Sequence, residues 1–420
     1  MLYRSGEIRK LGRVDHGDAF LDTHSLEKKR GITIFSKQAV FKLKDTMITL
    51  LDTPGHVDFS SEMERTLQVL DVAVLVISAS DGIQSHTETL WRLLSRYNIP
   101  VFIFVNKMDI SDSESDEILL DLKDKLSPAC SDFTDKNSEM FFEQTALCDE
   151  GLLDNFLEND VISDIDISEA IMERRLFPCY FGSARKLESI DELLCDIELY
   201  TNIKPYPKEF GARVFKIAAD DNGERLTFMK ITGGCLKVRS KIEFTLPDGT
   251  IASEKVNQIR VYSGNKYKTI DKAESGMICT VLGSKFTQCG MGIGFEEQAG
   301  KPILQPVMTY RLVLNDDIDP AKALIKLKPL EEENPELHLI WNERLSEIHA
   351  ELMGSVQLEI LSDIIYERFG MSVSFDKGGI SYKETITEAV EGVGHYEPLR
   401  HYAEAHILIE PLPRNSGIEF

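Results

Sequence analysis

Short apolar runs alternate with amphipathic stretches along the first 200 residues. Apolar runs at 46–52, 72–78, 101–105 and 177–181 predict buried strands. Helical spacing at 60–70, 87–97 and 190–200 predicts helices, and the acidic stretch 111–173 is predicted to be mostly helical. Because strands and helices alternate, we expect a parallel sheet with crossover helices.

After residue 205 the pattern changes to short alternating strands. Strands are predicted at 212–218, 227–231, 241–246, 256–261 and 277–281, and Asp248-Gly249 is typical of a hairpin turn. This succession predicts a β-barrel of Greek-key type.

From residue 306 the predicted order of elements is β-α-β-β-α, followed by another strand. Strands are predicted at 310–314, 337–341, 347–351 and 373–375, helices at 320–328 and 355–369, and an acidic loop at 331–333. This order suits a small ferredoxin-like domain. One more strand, predicted at 403–410, suggests the beginning of a fourth α+β domain.

We therefore expect a multidomain α/β protein. The expected domains are an α/β nucleotide-binding domain at 1–204, a barrel at 205–303, a ferredoxin-like domain at 304–382 and the beginning of a fourth domain at 383–420.

The charge of the chain excludes nucleic-acid binding through its overall field. The 420 residues carry a net charge of -23, and residues 111–200 hold 24 acidic against 7 basic side chains. Any RNA contact must use local basic patches, such as Arg9-Lys10 with Arg13, or residues 28–30. Such patches are also typical of ordinary solvated surface.

Composition and targeting signals favour the cytoplasm. The seven cysteines include no Cys-x-x-Cys pair, which is typical of reduced cytosolic thiols. No apolar run is long enough to span a membrane, and the first residues lack an apolar signal region. We expect a monomer that has no membrane partner.

The motif Asp52-Thr-Pro-Gly55-His56 follows a predicted strand and precedes a predicted helix. A tight turn there lets a backbone N–H approach a terminal phosphate, and the Asp52 carboxylate can reach the shell of a Mg²⁺ ion. Upstream, Thr33 in the segment Arg-Gly-Ile-Thr-Ile offers a hydroxyl that can ligate the same ion. Taken alone, each segment is equally typical of an ordinary turn or strand.

The motif Asn106-Lys107-Met108-Asp109 also follows a predicted strand, where open α/β sheets bind ligands. The Asp109 carboxylate can accept hydrogen bonds from guanine N1–H and its exocyclic amine, a donor pair that adenine lacks. Asn106 would support the loop, and the aliphatic stem of Lys107 would cover the base. Taken alone, the motif is also typical of a solvated charged turn.

The segment Gly182-Ser183-Ala184 follows the strand predicted at 177–181, and the Ala184 N–H can donate to guanine O6. By itself this segment indicates little. The order of the four segments and their places after strands make chance agreement improbable.

These four segments resemble those of translational GTPases of the elongation factor G and tetracycline ribosomal-protection type. The resemblance extends along the whole chain, through the predicted barrel and residues 351–360, Glu-Leu-Met-Gly-Ser-Val-Gln-Leu-Glu-Ile. It implies a P-loop-type GTPase domain that binds GTP or GDP with Mg²⁺, and a ribosomal partner made of RNA and protein. It also implies that His56 orients the water that attacks the γ-phosphate, with Thr33 and Asp52 serving the metal.

Within this family the chain resembles the ribosomal-protection proteins more than elongation factor G. Residues 22–33 lack the tryptophan-containing segment usual in elongation factor G, and residues 392–397, Gly-Val-Gly-His-Tyr-Glu, replace a glycine-rich pattern. The resemblance therefore implies release of tetracycline from the ribosome, with translocation as the alternative.

No Gly-x4-Gly-Lys-Ser/Thr phosphate loop occurs in the 420 residues. The nearest segment, Gly294 to Lys301, has the wrong spacing and ends before a proline. By the resemblance we expect the first strand and its loop to precede Leu2, so that the chain is truncated at both ends and hydrolyses little GTP. The other alternative is a non-catalytic, ribosome-binding fragment.

Overall fold

The computed structural model describes residues 1–12, 19–22, 24–138, 140–203, 205–220, 222–246, 249–300, 302–315, 318–376, 379–380, 385–396 and 402–413. Arg13, Asp248 and Lys301, which the sequence interpretation used, lie outside this part of the chain. No helix among the described residues is long and apolar enough to span a membrane.

The first region is built around a four-stranded parallel sheet. Its strands, with a preceding antiparallel pair, are β1 Lys37–Leu43, β2 Thr46–Asp52, β3 Ala73–Ser78, β4 Val101–Asn106, β5 Cys130–Asp132 and β6 Phe177–Phe181. Its helices are α1 Ser25–Arg30, α2 Ser60–Leu67, α3 Ser85–Arg96, α4 Ser115–Lys125, α5 Phe141–Ala146, α6 Glu150–Asn159, α7 Asp164–Met172 and α8 Ile190–Tyr200. The parallel strands lie in the order β3-β4-β6-β5.

Strand β4 separates two apolar cores. Phe102 and Phe104 pack into one core, while Ile103 and Val105 pack into the other. Because successive side chains of a strand point to opposite faces, the unbroken apolar run of β4 indicates a strand covered on both sides. The predicted parallel sheet with crossover helices is confirmed.

Two strands predicted as buried differ from the prediction. Strand β2 is half-buried and pairs antiparallel with β1, a strand that the apolar pattern missed, and not with β3. Strand β3 lies at an edge of the parallel sheet, and its Val76 is 59% exposed. An apolar run alone does not distinguish an edge strand from a central one.

The second region is antiparallel. Its strands are β7 Gly211–Ala219, β8 Arg225–Gly233, β9 Cys235–Lys237, β10 Lys241–Thr245, β11 Ile251–Lys255, β12 Gln258–Ser263, β13 Lys266–Ile270, β14 Lys272–Glu274, β15 Ile278–Leu282 and β16 Gly292–Gly294. Six of them form a sheet in the order β13-β12-β15-β8-β7-β16, and β10-β11 and β14-β9 form two ribbons. Their inward side chains share one apolar core, which packs this region as a barrel.

The third region has the ferredoxin-like order. It comprises β17 Met308–Leu314, α9 Pro320–Glu333, β18 Ile340–Asn342, β19 Glu347–Leu352, α10 Ser355–Phe369, β20 Val373–Phe375 and β21 Gly379–Ile380. The strand order is β18-β19-β17-β20, and β21 also pairs with β17. Both helices contribute to the core under this sheet.

The prediction of an acidic loop at 331–333 is wrong, because α9 continues to Glu333. Each carboxylate has a partner there: Glu331 accepts from Leu339 N–H, Glu332 pairs with Arg225, and Glu333 pairs with Arg368. These tertiary contacts outweigh the local charge repulsion.

The strand predicted at 337–341 is displaced to β18, since residues 335–337 form a 3-10 turn. The last described segment is the antiparallel hairpin of β22 Val390–Tyr396 and β23 Ala403–Ile409. Strand β22 was not predicted. It carries glycines at positions 392 and 394, which weaken a strand signal.

Candidate functional site

Each of the candidate motifs at 52–56, 106–109 and 182–184 follows directly after a strand. Strand β2 ends at Asp52, β4 ends at Asn106, and β6 ends one residue before Gly182. Strands β4 and β6 are parallel neighbours, so the loops that follow them meet at one edge of the sheet.

Asn106 holds the two loops on this edge together. Its Oδ1 accepts hydrogen bonds from the Lys107 N–H at 2.8 Å and from the Ala184 N–H at 2.9 Å. The Met108 N–H also donates to the Gly182 carbonyl at 3.1 Å. The motifs at 106–109 and 182–184, which are distant in sequence, therefore form one unit, called here the base-side loops.

Gly182 and Ser183 form the compact part of the base-side loops. A Cβ at Gly182 would lie 2.3 Å from the Glu188 carbonyl oxygen, so a side chain does not fit there. Ser183 is buried, and its carbonyl accepts from the N–H groups of Lys186 and Glu188 at 3.1 and 3.0 Å.

Asp109 and Lys107 both have ionic neighbours. Asp109 Oδ2 lies 3.8 Å from Lys186 Nζ, and the Asp109 side chain is only 10% exposed. Lys107 has a left-handed backbone with φ 67° and its Nζ lies 3.9 Å from Asp81. The Ala184 N–H already donates to Asn106, so a base oxygen would have to share this donor.

Asp52 lies in a cluster of carboxylates. Burial, and then the charges of Asp22 and Glu27, raise the pKa of Asp52 to about 6, while Lys37 opposes this shift. A carboxylate surrounded in this way gains from a nearby cation.

Thr33 lies next to the same cluster. Its hydroxyl donates to Asp22 Oδ1 at 2.9 Å, and the following N–H groups of Ile34 and Phe35 donate to Glu27 Oε1, both at 3.2 Å. Glu27 is fully buried and also pairs with Lys37. Thr33 and Asp52 therefore share the neighbour Asp22.

The sequence interpretation missed Asp22 and Glu27 as site residues. A signal for Glu27 was available: it stands three residues after His24, and the two residues form a capping box at the start of α1. Asp22 has no comparable signal, because only the fold brings it to Asp52 and Thr33.

Gly55 is exposed, and an added Cβ would meet no atom within 4 Å. The protein itself thus does not require glycine at this position. His56 follows it, with a side chain that is 38% exposed. Its Nδ1 accepts from the Asp58 N–H at 3.1 Å, so a neutral ring carries its proton on Nε2.

A second histidine lies near His56. Burial, and then the charge of His56, lower the pKa of His86, which is in the first turn of α3. The buried Nδ1 of His86 has no hydrogen-bond partner among the described residues. The sequence analysis did not identify this neighbour, since it depends on how α3 packs.

The turn after His56 contacts the third region. Asp58 is buried, and its Oδ2 accepts from the Val356 N–H at 2.8 Å in the first turn of α10. A Cβ on Gly354 would lie 2.2 Å from Asp58 Oδ1, so the glycine permits this approach.

Helix α2 continues these contacts. Glu62 pairs with Lys216 of β7 at 2.9 Å and with Arg65 at 2.7 Å. Burial raises the pKa of Glu62, but the two cations outweigh it and lower the value to about 2. Arg65 is buried and also pairs with Glu336 of the third region. Residues 52–58 and α2, called here the phosphate-side segment, are therefore linked to all three regions.

The structure brings the base-side residues together, and Thr33 and Asp52 each lie near Asp22. No hydrogen bond between described residues joins the base side to the phosphate side. No group of three or more His, Cys, Asp or Glu among the described residues is arranged to hold a metal ion. One carboxylate and one hydroxyl suit a Mg²⁺ ion that keeps water and phosphate ligands.

Comparisons with known proteins agree with this arrangement. Residues 1–202 match the Elongation factor Tu GTP binding domain, and residues 209–293 match Elongation factor G domain 2. A crystal structure of a protein from Thermus thermophilus shares the fold, with a TM-score of 0.78 at 22% identity over 97% of this chain and 69% of that one.

Relatives match over the entire chain. Tetracycline resistance protein TetP of Clostridium perfringens is 32% identical over 100% of this chain and 68% of its own length. Elongation factor G 2 of Syntrophus aciditrophicus (strain SB) is 28% identical, with 73% of its length covered. The TetM protein of Enterococcus faecalis is 27% identical, with 68% covered. By its GTP-binding domain, its fold and these relatives, the chain belongs to the elongation factor G-like translational GTPases, the family that includes the tetracycline resistance proteins.

Proposed function

We propose that the base-side loops bind guanine. The Asp109 carboxylate accepts hydrogen bonds from the two adjacent guanine donors. Its ion pair with Lys186, at 3.8 Å, is replaced when the base binds. The stem of Lys107 covers the base, and Asn106 with Ser183 keeps the loops in place. The Ala184 N–H, now bound to Asn106, shares its hydrogen with guanine O6. The observation that carries this proposal is the bonding of two distant motifs through Asn106.

We propose that Thr33 and Asp52 hold Mg²⁺ at the phosphate side. The support is chemical: both offer oxygen ligands, and burial together with the neighbouring carboxylates raises the Asp52 pKa, a shift that a divalent cation would oppose. The bound ion would neutralise charge that develops on the phosphates. The Gly55 N–H donates to the γ-phosphate, and the space that a Cβ of Gly55 would occupy is open.

His56 positions the attacking water in this proposal. Its half-exposed ring offers an Nε2–H on the side away from the Asp58 N–H. Phosphoryl transfer depends mainly on positioning and electrostatics, so a strong base is not needed.

Binding of a fluorescent GDP tests the base site first. The chain should bind weakly, because its 420 residues contain no phosphate-loop motif. A fusion that places the phosphate loop of a relative before Met1 should bind much more tightly, and Asp109→Ala should abolish the gain. If neither chain binds, the assignment of Asn106, Asp109 and Ser183 is wrong, and a non-catalytic ribosome-binding role is preferred.

At the biological level we propose ribosome-stimulated GTP hydrolysis that releases tetracycline from the ribosome. The support is the 32% identity with a tetracycline resistance protein along the whole chain. This role places the protein in the cytoplasm as a monomer that contacts ribosomal RNA and ribosomal proteins.

Translocation of the elongation factor G type is the second candidate, because a relative named elongation factor G 2 is 28% identical over the same length. The two roles differ in readout. With the phosphate-loop fusion, GTP-dependent loss of labelled tetracycline from ribosomes supports release of the drug. GTP-dependent movement of messenger RNA without loss of the drug supports translocation.

We also propose the domain limits 1–204, 205–303, 304–382 and 383–420. The support is that the parallel sheet, the barrel strands, the ferredoxin-like sheet and the last hairpin each fall within one of these ranges. Limited proteolysis should cut first near these limits.

A further inference from the structure

The Asp109 carboxylate of the base-side loops is largely buried but poorly satisfied. Its side chain is only 10% exposed, yet no hydrogen bond from a residue that the structure describes reaches it. Carboxylates with so little exposure normally accept several hydrogen bonds, because burying them without partners is unfavourable. The empty site therefore holds an anion whose two oxygens can both accept from a ligand.

Lys186 supplies the counter-charge. Its Nζ lies 3.8 Å from Asp109 Oδ2, and in the described part of the chain it is the one ionic neighbour of this carboxylate. A separation of 3.8 Å is longer than an N–H···O hydrogen bond, so the two groups attract each other without being hydrogen-bonded. The Lys186 side chain is 54% exposed, so its ammonium can turn into water with little loss of free energy.

The turn that carries Lys186 is tightly built. The Lys186 N–H donates to the Ser183 carbonyl at 3.1 Å and lies 3.3 Å from the Ser183 hydroxyl. Leu187 and Ser189 have φ angles of 65° and 61°, in the left-handed region that residues other than glycine rarely adopt. Such residues persist only where the surrounding structure holds them. The backbone of Lys186 is therefore fixed beside Asp109, while its long side chain extends towards solvent.

We propose that Lys186 determines how strongly the base-side loops prefer guanine to hypoxanthine. Guanine offers two adjacent donors, N1–H and the exocyclic amine, which together satisfy both Asp109 oxygens and displace the ammonium. Hypoxanthine offers only N1–H, so one oxygen keeps Lys186 as its neighbour. This inference rests on the proposed guanine site and names the residue that sets its selectivity.

The displaced ion pair has a defined effect on affinity. A site that bonds a ligand donor usually rejects an analogue without that donor, because a buried acceptor is left unpaired. Lys186 reduces this penalty for hypoxanthine, and it weakens guanine binding because the ion pair must break first. The lysine therefore narrows the difference between the two bases and favours release of GDP.

Binding of GDP and of inosine diphosphate to the phosphate-loop fusion tests this role. Lys186→Met should bind GDP about fivefold more tightly, since binding no longer breaks an ion pair, and an exposed pair contributes up to about this factor. Binding of inosine diphosphate should stay unchanged, because the pair is present both before and after that ligand binds. Equal changes for the two nucleotides, or weaker binding of GDP, overturn the proposal.

Two further variants make the measurement specific to this contact. Lys186→Arg should weaken GDP binding, because a guanidinium can form two hydrogen bonds with a carboxylate and is harder to displace. The matched control is Lys125→Met, which removes an ammonium that lies 2.8 Å from Asp121 on α4. If this control changes the ratio of the two affinities as much as Lys186→Met does, the effect is one of overall charge and the proposal is wrong.

Melting temperatures of the 420-residue chain without nucleotide test the ion pair independently of the guanine site. At low salt Lys186→Met should lower the melting temperature, and it should have no effect when Asp109 is already asparagine. An equal fall in both backgrounds means that Lys186 serves only the turn, and this rejects the inference while leaving the guanine site intact. If instead the two positions are coupled but the fusion binds neither nucleotide, the guanine site is rejected and the role of Lys186 in selectivity falls with it.

Discussion

The two halves of the candidate site are held in different ways. In the base-side loops the main contacts stay within one sheet edge, as when Asn106 accepts from Lys107 and Ala184. The phosphate-side segment is held by residues of other regions: Asp58 contacts Val356, Glu62 contacts Lys216, and Arg65 contacts Glu336.

This difference predicts separate roles for the two sides: the base side binds the nucleotide, and the phosphate side passes a change on to the other regions. Because their main contacts lie within one sheet edge, we expect the base-side loops to keep their shape when the other regions move. The phosphate-side segment is bonded to the barrel and to the third region, so we expect a change at Gly55 or His56 to be transmitted along α2 to both of them. We therefore expect base-side substitutions to affect only nearby residues, and phosphate-side substitutions to affect the barrel and the third region as well.

The largest effect is expected for Arg65→Met. This change leaves Glu62 and Glu336 without their buried guanidinium partner, and breaking a buried ion pair on one side costs about 3–5 kcal/mol. The free energy of unfolding in urea measures it.

The control for this variant is Arg92→Met on α3, where the guanidinium lies 3.6 Å from the exposed Glu88. It should cost at most about 0.5 kcal/mol. Equal losses of stability in the two variants would show that the contacts of Arg65 with other regions add no stability.

Asp52→Asn should stabilise the protein at neutral pH. The folded protein raises the Asp52 pKa from 3.8 to about 6, so folding favours the protonated carboxyl, and this contribution disappears as pH rises through 6. At pH 8 the variant should gain about 3 kcal/mol, since the pKa is raised by about two units and one pKa unit corresponds to about 1.4 kcal/mol.

The gain should vanish below about pH 4, where Asp52 is protonated whether the chain is folded or unfolded. Urea unfolding of both proteins at several pH values between 4 and 8 measures how the gain in stability changes with pH. A gain that does not change with pH would mean that the ionisation of Asp52 is not its cause.

Asp58→Ala should loosen the start of α10 by about 1 kcal/mol, the usual cost of losing a side chain that caps a helix. Hydrogen exchange of the first turn of α10 measures the effect. Asn106→Ala should leave that exchange unchanged, because its bonds stay on the base side.

A double-mutant cycle sharpens this test. Gly354→Ala places a Cβ 2.2 Å from Asp58 Oδ1 and should destabilise the protein, but much less when Asp58 is already alanine. Additive effects would argue against direct contact between the two positions.

The smallest effect on stability is expected for Gly55→Ala. An added Cβ meets no atom within 4 Å, so the melting temperature should stay almost unchanged. In the phosphate-loop fusion, however, binding of GTP should weaken more than binding of GDP, because only GTP brings a γ-phosphate to the Gly55 N–H. Equal weakening of both nucleotides would remove Gly55 from the γ-phosphate site.

Much of the fold could be predicted wherever one local pattern determines an element. The strand at Phe177–Phe181 and the helix at Ile190–Tyr200 match their predicted limits, since apolar run and helical spacing agree there. Strand β1 was missed, and the helix α9 was cut short before its last acidic residues. In α9 the pairing of Glu332 with Arg225 depends on a region more than 100 residues away.

The sequence by itself determined the family of this protein, the position of the candidate motifs at Asp52 and Asn106 after strands, and the order of many of the elements. These follow from residue type and spacing, which act locally. Only the tertiary structure decided that burial, together with Asp22 and Glu27, raises the pKa of Asp52, that Asp58 caps α10, and that four lysines of the barrel face one another in pairs. Distances between residues far apart in the chain depend on how the sheets pack, and no local pattern carries that information.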